Sequence, residues 1–110
     1  MDLTPITPVP VMNFIDYVDY STNSVVSKKI LQKSTGNVTL FSFDKDQQLS
    51  EHTAPFDAMV QVLEGESRIT INKVAYHLKA GESVIMPANI PHAVYATTRF
   101  KMLLTMIKGS

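Results

Sequence analysis

The chain is 110 residues long, 45% hydrophobic and 18% charged, with ten basic and ten acidic side chains and no cysteine. That length fits one domain with a core of its own, and the balanced charge argues against the basic face that displaces counterions from nucleic-acid phosphates. Without cysteine, a disulfide framework, a thiolate zinc site, an iron–sulfur cluster and a cysteine nucleophile are all excluded. No apolar run approaches the ~20 residues of a membrane span, and the N-terminus lacks the basic-then-apolar order of a signal peptide. The expectation is a cytoplasmic protein with neither nucleic-acid nor membrane partners.

Residues 1–11 carry prolines at Pro5, Pro8 and Pro10, which favour an extended chain. Two readings are open there: a loosely ordered terminus, or an arm docked on a partner subunit through Ile6, Val9 and Val11. Asn13 is placed to cap a short helical turn over residues 14–17, with Asp16 near its positive end. The signal then changes to period two. Residues 25–33 are β-rich and 34–37 are turn chemistry. In 38–43, Val38, Leu40 and Ser42 share one face while Thr39, Phe41 and Phe43 share the other. A polar loop at 44–48 precedes an apolar run at 58–63, closed by Glu64-Gly65-Glu66. Arg68, Thr70 and Asn72 alternate with Ile69 and Ile71, a strand with one wet face.

Asn72-Lys73 fits a tight hairpin turn without the usual glycine. Tyr76 and Leu78 read as an inward pair, which turns His77 toward solvent or a neighbouring subunit. A turn at 79–82 leads to strands at 83–86, 92–96 and 100–107. About eight or nine short strands with regular turns and almost no helix mean a β-sandwich or barrel. The division is an N-terminal arm at 1–24, with its helical turn, and a β-domain at 25–110.

Two stretches resemble the cupin superfamily. The family's first motif is histidine, any residue, histidine, three or four residues, glutamate, six residues, glycine; His52 to Gly65 fits that frame, anchored by Val62-Leu63-Glu64-Gly65-Glu66. Its second motif is glycine, five residues, proline, any residue, glycine, two residues, histidine, three residues, asparagine; Gly81-Glu82-Ser83-Val84-Ile85-Met86-Pro87-Ala88-Asn89-Ile90-Pro91-His92 follows it. The resemblance covers 38–107. It implies an all-β fold, a small double-stranded β-helix (jelly-roll) barrel with a short N-terminal extension.

The resemblance also implies a metal held by two histidines and a glutamate from the first motif and one histidine from the second. Here His52 and His92 hold the first and last positions, but Ala54 and Ala58 stand where the second histidine and the glutamate would be. Asn89 replaces the second motif's glycine and Ala96 its final asparagine. Methyl groups offer no lone pair, so His52 and His92 could hold iron, nickel, manganese or zinc only with water or substrate completing the shell. The alternative is that no metal binds and the two imidazoles serve as hydrogen-bonding groups.

Asp57 and Gln61 are candidates to repair the ligand set; Gln61 faces inward only if a bulge shifts the register between Pro55 and Met59. Met59, Met86, Met102 and Met106 read as core filler that would make an adaptable pocket if some line the mouth.

The leading reading is a barrel that binds a small molecule in its interior, with His52 and His92 as polar anchors. A metal-dependent enzyme of dioxygenase or isomerase type, acting on a small organic acid or sugar, is the rival. A structural or interaction protein without a working pocket is a third. A homodimer is also expected, because Phe14, Ile15, Tyr17, Val18 and Tyr20 add apolar surface beyond what the barrel needs, and small cupins are generally dimeric. The competing use of that segment is to fold back over its own barrel as a lid or brace.

Overall fold

A computed structural model describes residues 11–109. The Asn13 side chain accepts a hydrogen bond from the Ile15 amide at 3.1 Å and opens the single-turn helix α1 (Phe14–Tyr17), with Asp16 in its first turn. Nine strands follow: β1 (Val25–Lys33), β2 (Gly36–Phe43), β3 (Gln48–His52), β4 (Phe56–Glu64), β5 (Glu66–Ile71), β6 (Val74–Lys79), β7 (Ser83–Met86), β8 (His92–Ala96) and β9 (Phe100–Lys108). They form a five-stranded sheet in the order β1-β2-β9-β4-β7 and a four-stranded sheet in the order β3-β8-β5-β6. All pairings are antiparallel. This is the β-sandwich that the strand count and turn spacing predict, in the jelly-roll form that the resemblance implies.

The core lies between the sheets. Period-two alternation turns Ala58, Val60 and Val62 of β4 inward, where they meet Phe43, Ile69, Val94, Phe100 and Met102. Phe43 stacks on Phe100 with ring centroids 4.5 Å apart, and Phe41 packs beside it, so the Thr39–Phe41–Phe43 face of β2 is the inward one. At Gly65 the backbone has φ +76, and a Cβ there would lie 2.0 Å from the Arg99 carbonyl oxygen. Only glycine lets β4 turn into β5 so close to the start of β9. Between β5 and β6, Asn72 and Lys73 both take the left-handed conformation, φ 50 and φ 70, so the tight hairpin forms without glycine.

The segment before β1 lies on the outer face of the five-stranded sheet. Val18 is fully buried there, and the Ser42 hydroxyl donates to the Asp19 carbonyl at 2.7 Å. Lys101 donates to the Ile15 carbonyl, and the Tyr20 hydroxyl donates to Glu64 at 2.6 Å. Residues 13–20 are therefore a brace on their own sheet, and the apolar side chains offered for dimerisation are partly used within the chain. Ile6 and Val9 lie outside the described residues; Val11 is exposed.

Tyr76 corrects one expectation. It shares a face with Leu78, but β6 is an edge strand and Tyr76 extends beyond the core, leaving it exposed while Leu78 is buried. Among the described residues no helix is long and apolar enough to cross a membrane.

Candidate functional site

His52 owes its direction to an irregularity in β3. Leu49 pairs with Val94 and packs against the core, so plain alternation would send Glu51 inward and His52 outward. The register shifts between Leu49 and His52, three residues of β3 matching two of β8, and the extra residue reverses the parity. Glu51 then faces solvent, held by Lys73 at 2.6 Å, and His52 turns inward opposite His92. β3 ends at His52, so Ala54 lies beyond the strand rather than within it, yet it still lines the interior.

His92 begins β8 on the inward face shared with Val94 and Ala96. The loop from Pro87 to Pro91 delivers it. Asn89 sits at φ 62, the conformation for which the second motif uses glycine and which asparagine tolerates. Its amide donates to the Ala54 carbonyl at 2.8 Å, and the Asn72 amide donates to the Pro91 carbonyl at 2.8 Å, pinning both sides of the loop. The Asn89 replacement thus keeps the turn, and His92 keeps its place.

The two imidazoles meet at the mouth of a cavity of about 50 Å³. Its walls are apolar, with Ala54, Phe56, Ala58, Met86, Met102 and Met106 among the residues that line it. The ring centroids are 4.3 Å apart and the planes cross at 69°. His92 is 7% exposed, whereas His52 reaches solvent. Each Nδ1 lies against a backbone carbonyl, His52 at 2.8 Å from Ser50 and His92 at 3.1 Å from Ile90. A carbonyl oxygen only accepts, so both Nδ1 atoms carry the proton and donate. In the neutral rings both Nε2 atoms then bear lone pairs, and these face each other at 3.1 Å. Burial pushes the His92 pKa below its ordinary value; the Ile90 carbonyl opposes that shift and His52 reinforces it. The site is a pair of acceptors held by backbone, at the rim of an apolar cavity.

The remaining candidates are not brought in. Asp57 is exposed and accepts a hydrogen bond from the Ala88 amide at 2.9 Å, which ties β4 to the loop after β7. Gln61 faces outward between Ser83 and Leu103, because β4 is regular from Phe56 to Val62 and its register shifts only after that. Neither replaces a lost ligand. His77 lies 3.6 Å from Glu66 on the exposed edge. Of the four methionines, Met86, Met102 and Met106 line the cavity and Met59 faces outward.

The metal implied by the resemblance can be tested against these donors. Two Nε2 atoms 3.1 Å apart suit adjacent positions around one cation, but the next two positions are the methyl groups of Ala54 and Ala58. Among the described residues no group of three or more histidine, cysteine, aspartate or glutamate side chains gathers. The residues present do not fit a metal held by protein ligands alone.

Residues 39–108 match the model of the cupin domain family. A conserved protein of unknown function from Streptococcus pyogenes, SPY1581, is 36% identical, with 96% of this chain and 92% of that chain covered and a TM-score of 0.89. A cupin 2 conserved barrel domain protein from Leptotrichia buccalis is 42% identical over 88% of this chain and 47% of its own, with a TM-score of 0.86. A cupin superfamily protein from Desulfitobacterium hafniense is 26% identical over 94% of each chain, with a TM-score of 0.86. No curated protein matches this chain.

Proposed function

The chain belongs to the cupin family, and from that premise we propose that it binds a small molecule in the cavity between its sheets, with His52 and His92 as polar anchors. The observation that carries the reading is the pair of Nε2 atoms converging at 3.1 Å on the rim of an apolar cavity. Buried polar atoms are normally paired, and two facing lone pairs satisfy each other only when a proton or another positive centre comes between them. A ligand with a hydrogen-bond donor supplies that centre. The cavity volume admits only a few heavy atoms, so the apolar end of such a ligand enters among the methionines and its polar end stays at the His52 side, where the site opens. Methionine side chains adapt to varied apolar shapes, which suits a site selected by one polar contact.

The test is a thermal-shift series with short-chain alcohols, phenols and carboxylic acids, on the parent chain and on the His52→Ala/His92→Ala variant. A rise in melting temperature in the parent that disappears in the variant supports the reading; equal shifts in both would overturn the role of the histidines. Metal analysis of protein purified without a histidine tag runs beside it. Stoichiometric iron, nickel, manganese or zinc, lost in the double variant, would favour the metal-dependent enzyme instead.

A further inference from the structure

Among the described residues, the outer face of the five-stranded sheet is covered over one half and open over the other. Residues 13–20 cover the half around Ser42 and Lys101. On the other half one row of paired residues crosses every strand: Leu31 with Val38, Val38 with Thr105, Thr105 with Met59, and Met59 with Ile85. By alternation these five share the face opposite to Ala58, Val60 and Leu104 of the core. A second row, two residues further along the strands, runs from Lys33 to Gly36, Ile107 and Asp57. Leu31, Ile85 and Ile107 are 60%, 56% and 62% exposed. An apolar row across five strands is more than a soluble surface ordinarily leaves open.

The second row sets a knob beside a hole. Gly36 has no side chain, and a Cβ there would lie 2.1 Å from the Met106 carbonyl oxygen, so no larger residue fits. Next to Ile107 it leaves a shallow depression of about 260 Å³, lined by Leu31, Val38 and Thr105 among others. The two charges of the row have opposite sign and stand on opposite sides of Ile107. Lys33 has no ion-pair partner among the described residues, and Asp57 is exposed and accepts from the Ala88 amide through one oxygen.

These features match a second copy of the same face. A two-fold axis parallel to the strands, between two facing sheets, sets β1 over the partner's β7 and β2 over its β4. Placed slightly to the β2 side of β9, that axis seats each Ile107 in the other copy's depression. The same shift brings the partner's Asp57 to within half a strand spacing of Lys33, ~2.4 Å sideways. The first rows then meet in reverse order: Leu31 against the partner's Ile85, Val38 against the partner's Met59, and the small Thr105 against the partner's Thr105. A foreign partner would need a matching knob and two charges of its own, whereas a second copy carries them by symmetry.

We infer that the open half of the five-stranded sheet is a homodimer interface, on which a second copy packs face to face with Ile107 in the partner's depression and Lys33 beside the partner's Asp57. The contact is made by the strands themselves, not by residues 13–20, which are engaged within their own chain.

Sedimentation velocity of the full chain across a micromolar concentration series is expected to show a monomer–dimer equilibrium. Ile107→Asp puts a carboxylate into the other copy's apolar depression and is expected to raise the dissociation constant about tenfold or more. Leu31→Asp carries the same expectation at the far end of the first row, and far-ultraviolet circular dichroism checks that each variant is folded. A monomer throughout the series would overturn the proposal, and so would unchanged dimer affinity in both variants. Register is read with a carbodiimide, which joins an amine to a carboxylate in direct contact. Within one chain Lys33 and Asp57 stand three strand spacings apart, ~14 Å, so a link between them comes only from two copies. Mass spectrometry of the cross-linked dimer is expected to find that link, and a dimer without it would overturn the arrangement.

Discussion

The Tyr20–Glu64–Lys101 cluster on the outer face and the His52–His92 pair at the cavity rim both hold polar atoms partly out of water, and their hydrogen bonds end differently. In the outer cluster each donor has an acceptor within the chain: Tyr20 donates to Glu64, Lys101 donates to Ile15, and the Lys101 ammonium sits 4.8 Å from the Tyr20 ring centre. Everything there is satisfied, and its work is to hold residues 13–20 against the sheet. In the inner pair the backbone fixes both Nδ1 atoms, and among the described residues the two Nε2 atoms have only each other. A network that closes on itself stabilises; one that stops at two lone pairs is available to a ligand.

The comparison is broken most forcefully by closing the open site. Ala54→His with Ala58→Glu restores the family's four ligands around the cavity, and affinity for divalent metal, measured calorimetrically, should rise by orders of magnitude. Unchanged affinity would mean that the backbone at residue 54, beyond the end of β3, has moved too far for a ligand there to reach. Opening the closed site is the next largest effect. Lys101 is 7% exposed, and Lys101→Met keeps its bulk while leaving the Ile15 carbonyl and Glu64 without their cation. Urea denaturation should report a loss of about 2 kcal/mol. By contrast, His52→Ala should change folding stability by only about 1 kcal/mol or less while abolishing ligand-induced shifts, because this ring is exposed.

The difference between these regions also explains what was legible in the sequence. Alternation in 38–43 and 58–63, the turn chemistry at 34–37, 72–73 and 79–82, and the Asn13 cap are local, and all describe the structure. The convergence of His52 and His92 was legible only through the spacing of the two motifs. Alternation from Leu49 alone would have aimed His52 at solvent, since nothing in Ser50-Glu51 announces the bulge. A bulge between Pro55 and Met59 would turn Gln61 inward, but β4 is regular from Phe56 to Val62, so Gln61 stays outside. The brace was hardest to read. Ile15, Asp19 and Tyr20 find partners on β9, β2 and β4 that are distant in sequence, and no periodicity in 13–20 points to them. Tyr76 fails for a related reason: alternation gives the face of a residue but not whether the opposite sheet extends far enough to cover it.

The smallest expected effect separates the two clusters by pH. Burial lowers the His92 pKa below its ordinary 6.5, so the unfolded chain takes up a proton near that value while the folded chain resists it. The contribution of His92 is therefore present above about pH 6.5 and lost as pH falls below it. Tyr20 runs the other way. Burial, the hydrogen bond to Glu64 and the Glu64 charge raise its pKa well above the ordinary 10.0, with Arg99 opposing. The unfolded chain loses the phenolic proton near that value while the folded chain keeps it, so this contribution is present below about pH 10 and lost as pH rises beyond it. Melting temperature measured across both ranges should fall at each end. His92→Gln should flatten only the acid limb, and Tyr20→Phe only the alkaline one. A variant that flattened both limbs would show that the rim of the cavity and the outer brace are coupled through the sheet that separates them, instead of being the independent clusters that their hydrogen bonds describe.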